Sequence, residues 1–264
     1  MRKPAHFQRA VLALVLFGVS FGYVEAAVVV YLRAVSEPVR ARALHREPDP
    51  SLAHLFPLLS AADLRGVQPI PLWRIFEVEI GREAATMVML AALALAIGRS
   101  GAESIAAFVM AFGIWDIAFY AFLKLFIHWP ASLLTWDLLF LLPVPWTGPV
   151  LAPVIVAASM IAAGWMALRR AWDGSPIGLS RIHWTGIFLG ALIIVASFTW
   201  NYRDLLAGGV PHHFNWLMFS AGEACAVGAF LDALLRKERL QAPLASGSVV
   251  LKATQRGAAE SDKL

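Results

Sequence analysis

Six stretches of roughly twenty mostly apolar residues leave this chain few folds. Runs of that length enter lipid as helices, because a backbone without water must satisfy its own N–H and C=O groups. They cover about 10–32, 78–98, 103–127, 150–168, 182–200 and 215–235. Charged residues make up 15% of the 264, against roughly 25% in a soluble domain. A soluble two-layer fold is therefore not expected. The expected class is all-α: a polytopic membrane helix bundle of about six transmembrane helices, with 1–240 as one domain. The small, polar residues 241–264 are expected to form a disordered cytoplasmic tail.

The stretch 112–153 is the most informative part. It holds the end of span three, an apolar piece at 131–142 that is too short to cross, and then Pro143, Pro145, Pro149 and Pro153. Length favours a short re-entrant or interfacial helix between spans three and four. The prolines break regular helix after it and free backbone groups that need protein or water partners.

Elsewhere the punctuation is conventional. Arg33 closes span one. The charged, proline-bearing start of the long link 33–74 is expected to be exposed, with 51–64 as a short helix on the membrane surface. A signal peptide is the competing reading of the first run, since Val24 and Ala26 resemble a small-residue cleavage site. The apolar run continues well past them. Gly186 and Gly190 form a GxxxG pair, read as a packing surface. No internal repeat is visible, which counts against an inverted-repeat transporter.

Topology follows from charge. With six spans both termini share one side, and that side carries Arg2, Lys3, Arg9, Arg99, Arg169, Arg170, Arg181, Arg236, Lys237 and Arg239. The short loops opposite are poor in Lys and Arg, so both termini are expected in the cytoplasm, with the cell membrane as the expected location. The pI near 9.5 therefore reflects topology, and nucleic acid is not an expected partner. The lipid bilayer is. Lone Cys225 excludes an intrachain disulfide.

Against this apolar background the acids stand out. Glu25, Glu83, Asp116 and Glu223 sit on four different spans. Glu25 lies ~12 Å in from Arg33, and Glu223 ~15 Å in from His213, on a rise of ~1.5 Å per residue. Glu79, Glu83 and Thr86 share one helix face beside Arg82. Asp116, Tyr120 and Lys124 form a second polar stripe. An acid at the centre of a span costs ~2.5–3.5 kcal/mol to insert, so four need a reason. The bland reason is internal pairing, with Arg82 and Lys124 neutralising two acids and Tyr120 donating to a third.

The chemical reason is one carboxylate-rich site near the outer face. An acid that keeps its proton in low dielectric, beside an ionised one, makes an acid/base pair suited to isomerisation, hydration or group transfer on a lipid-like substrate. Glu83 and Asp116 are the acid/base candidates. Tyr120 is a donor, Glu25 and Glu223 are supporting acids, and Arg82 and Lys124 are charge partners. A divalent metal is the second use, with Glu25, Glu83, Asp116, Glu223, His128, His213 and the adjacent His212 as ligand candidates. A proton- or ion-coupled transporter is the third, and a non-catalytic subunit of a membrane complex the fourth. The partner classes left open are a hydrophobic small molecule, an ion, and further copies of the chain in an oligomer.

Overall fold

The computed structural model describes residues 4–43, 72–203 and 213–236. The proposed surface helix at 51–64, His212 and the tail at 241–264 lie outside the described residues. Among the described residues, six helices are long and apolar enough to cross a membrane. In chain order they are α1 (Pro4–Ala43), α2 (Leu72–Ile97), α3 (Gly101–Ile127), α4 (Leu151–Trp172), α5 (Arg181–Thr199) and α6 (Trp216–Arg236). This is the architecture of a multi-pass helical bundle. Span one runs further than expected. Arg33 does not end the helix and is only 3% exposed.

Helix α3 is the central post, packed on α1, α2 and α4. Its start is set by Ser100, whose hydroxyl accepts from the Glu103 N–H at 3.2 Å. Its end is set by His128, which takes a left-handed conformation (φ 56°). Small residues let the neighbours approach. A Cβ on Gly22 would sit 2.8 Å from the Phe119 nitrogen, and one on Gly113 would sit 2.5 Å from the Ala157 carbonyl oxygen. The GxxxG pair acts likewise: a Cβ on Gly190 would meet the Ala226 nitrogen at 2.6 Å. Gly113→Val is therefore expected to cost about 1–3 kcal/mol through overpacking. Gly228→Ala, with open space around it, serves as the neutral control. Thermal unfolding of the two variants in one detergent checks this.

Between α3 and α4 the chain forms no helix. Residues Trp136–Phe140 (β1) and Trp146–Pro149 (β2) pair as an antiparallel hairpin, with Asp137 opposite Gly148 and Phe140 opposite Trp146. This corrects the expected short helix. The reason lies in the return arm: Pro143, Pro145 and Pro149 cannot donate to helical carbonyls, whereas a two-stranded ladder pairs what remains. Pro153 falls in the first turn of α4, where a missing N–H costs nothing. The hairpin is wedged among rings. Phe140 lies 6.3 Å from both Phe112 and Trp115 of α3, and Trp146 stacks on Phe198 of α5 at 6.3 Å.

Candidate functional site

The hairpin and helices α1 to α5 line a partly open cavity of about 270 Å³. Its lining includes Glu25 from α1, Glu79, Arg82 and Glu83 from α2, Asp116 and Tyr120 from α3, and Asp137 from β1. Three of the four acids singled out in the spans thus face one space. Glu223 is not part of that lining, although its Oε1 is buried without a hydrogen-bond partner.

Most of the polar wall is internally paired. Arg82 forms ion pairs with Glu25 and Glu79, including Nε to Glu79 Oε2 at 2.9 Å. The i, i+3 spacing of Glu79 and Arg82 puts them on one helix face, and Glu25 meets them from α1. Thr86 returns its hydroxyl to the Arg82 carbonyl at 2.8 Å. Glu83, only 6% exposed, accepts the Leu141 backbone N–H on both oxygens at 3.0 Å. It thereby ties the end of β1 to α2. Glu83→Leu strips that amide of its acceptor and is expected to cost about 1–3 kcal/mol. Faster hydrogen exchange at Leu141 would report the loss, and Glu83→Gln, which keeps one acceptor, should exchange less quickly.

A second group joins α1, α3 and β1. The Tyr120 hydroxyl donates to Asp137 Oδ2 at 3.0 Å, and Arg33 Nη2 lies 3.9 Å from Asp137 Oδ1. The Arg33 guanidinium also stacks over the Trp129 ring, 4.3 Å from its centre. Arg33 is not among the site candidates drawn from the sequence, which places Asp137 with Asp116 and Tyr120 in the 112–153 stretch but gives it no role. Arg33 reads there as a topological stop. Asp137 carries a usable signal, an acid alone in an apolar run.

Asp116 differs from the other acids that line the cavity. Its Oδ2 is buried at the cavity wall and has no hydrogen-bond partner. The buried indole N–H of neighbouring Trp115 is likewise without one. Lys124 does not neutralise these acids as expected. Its ammonium donates to the carbonyls of His128 and Pro130, at 3.3 and 2.9 Å. The physical reason is position: Lys124 is in the last turn of α3, within reach of the carbonyls of the cap and of the loop just beyond it.

The histidines are scattered. His128 is the exposed cap of α3, and the His213 carbonyl accepts from Asn201 Nδ2 at 3.0 Å. Among the described residues, no three His, Cys, Asp or Glu side chains converge closely enough to hold a metal ion. A further polar trio lies outside the cavity, at the start of α5. His183 Nδ1 accepts from the Ser180 N–H at 3.0 Å, so Nε2 carries the proton towards Asp232 at 3.1 Å. The Ser180 side chain contacts the same Nδ1, at 2.9 Å. This is a capping box that starts a helix.

Comparison with known proteins returned no match to a family model, a curated protein or a solved structure.

Proposed function

We propose that this chain is a membrane-embedded enzyme that performs acid–base chemistry on a hydrophobic, lipid-like substrate in the acidic cavity. The observation that carries the reading is Asp116, whose buried Oδ2 meets that space with no partner of its own. Unpartnered buried polar groups are rare in folded proteins and cluster where chemistry or binding needs them. Asp116 is the proton-transferring group. Tyr120 and Asp137 position the polar end of the substrate, and Glu83 holds the hairpin that closes the cavity. The Glu25–Arg82–Glu79 network forms a charged wall that can orient a polar headgroup.

The same reading places the cavity in the outer half of the membrane, with both termini in the cytoplasm. The hairpin is then re-entrant. Its Phe140 packs against Phe112 and Trp115, roughly 18–22 Å along α3 from Ile127 at ~1.5 Å per residue. Such non-helical backbone is tolerated at depth only where protein surrounds it. That feature also supports a second reading, a proton- or ion-coupled carrier, because carriers place broken segments beside midplane acids.

One pair of assays separates the two. Protein in nanodiscs is incubated with a membrane lipid extract, and products are followed by mass spectrometry. Turnover that disappears in Asp116→Asn supports the enzyme. No turnover, but flux in sealed liposomes that the same variant abolishes, would transfer the site to transport. If both assays are blank and the substitution changes only thermal stability, the cavity is a structural ion-pair network.

A further inference from the structure

The cavity combines two features, an excess of acid and a lining rich in aromatic side chains. Five carboxylates line it: Glu25, Glu79, Glu83, Asp116 and Asp137. Among the described residues, two guanidiniums answer them: Arg82 in the wall, and Arg33 beyond Asp137. The acids are in excess by three. Arg82 already serves Glu25 and Glu79, and Glu83 is engaged by the Leu141 amide. Asp116 remains, with a buried oxygen that lacks a donor.

Around it the walls are aromatic. Phe112, Trp115, Phe119, Phe140, Trp146 and Phe198 all line the same space. Ring faces carry partial negative charge and attract a cation that approaches them. A carboxylate beside such faces gives an ammonium a charge-assisted hydrogen bond and gives its hydrocarbon an apolar seat. A neutral lipid headgroup would use the rings but not the excess charge. An anionic one would meet repulsion from the acids.

From this we infer that the ligand class of the cavity is a small lipophilic amine, bound as its ammonium ion with Asp116 as the counter-ion. The inference rests on the reading of this cavity as the substrate site and names the substrate class. Size sets a limit. About 270 Å³ equals the space of roughly nine waters at ~30 Å³ each, so a ligand of about ten non-hydrogen atoms fits. Trp115, 6% exposed, has an indole N–H without a partner, which an oxygen beside the amine would accept from.

The test compares 2-phenylethylamine with 2-phenylethanol, near-isosteres of this size that differ in charge at neutral pH. Binding is read from tryptophan fluorescence in zwitterionic nanodiscs, with empty discs subtracted. The amine is expected to bind at least tenfold more tightly than the alcohol. Asp116→Asn is expected to lose at least tenfold of the amine affinity and to keep that of the alcohol, which also shows that the variant cavity is intact. Asp116→Glu, which restores the charge, should recover most of the loss. Equal or tighter binding of the alcohol, or an unchanged amine affinity in Asp116→Asn, overturns the amine while leaving a substrate cavity standing. Binding of neither probe to the unmodified protein overturns both readings.

Discussion

Asp137→Ala is expected to lower the unfolding free energy by about 3–5 kcal/mol, the usual result of removing one partner from a buried ion pair. Three groups lose something at once. The Tyr120 hydroxyl loses its acceptor at 3.0 Å. Arg33, 3% exposed, loses the carboxylate 3.9 Å from its Nη2. The hairpin loses its main polar tie to α1 and α3. The guanidinium keeps its desolvation penalty and its stacking on Trp129 and loses this carboxylate. The Arg33→Met, Asp137→Leu double variant is expected to be far milder, because it removes both charges together with the cost of burying them. Thermal unfolding of the parent, the two single variants and the double variant forms a cycle that isolates the pairwise coupling. Single variants that each cost under about 1 kcal/mol and add to the double value would show that the pair contributes no coupling, and the hairpin would then be held by its aromatic contacts and the Glu83–Leu141 tie.

Asp116→Asn is expected to behave in the opposite way. Turnover should fall about 10²–10⁴-fold, the range associated with losing a positioned acid or base. Stability should stay within about 0.5 kcal/mol or rise. The asymmetry follows from the partners. Asp116 Oδ2 accepts no hydrogen bond, so an amide of the same shape forfeits none there, and it relieves the cost of a charge kept away from water. An acid retained for packing or pairing would show the reverse, the stability loss expected of Asp137→Ala. Activity and melting temperature measured on one preparation decide the matter. A turnover loss that only tracks unfolding would return Asp116 to the structural network.

Much of the bundle is legible in the residues because lipid imposes a strong rule. An apolar run of about twenty residues has few alternatives to a spanning helix, so six spans can be placed from hydropathy alone. Small residues announce close approach, and Gly186 and Gly190 do meet α6. Acids inside spans announce expense, and Glu25, Glu83 and Asp116 do share a cavity. What each acid touches is not legible. Glu83 looks like an acid/base candidate from its place on the Glu79–Thr86 face, yet it caps the Leu141 amide. That partner is 58 residues away on an element the helical reading does not contain.

The membrane class, the six spans and the presence of costly polar groups within them can thus be read from the residues, because each depends on composition over one turn or one run. The packed bundle adds that 136–149 is a hairpin, that Arg33 turns inward to Asp137, and that Lys124 serves carbonyls while Glu223 is not in the cavity lining. Those outcomes depend on which groups meet across the bundle. A buried donor or acceptor takes the partner that packing brings within about 3 Å, and sequence spacing does not encode that distance.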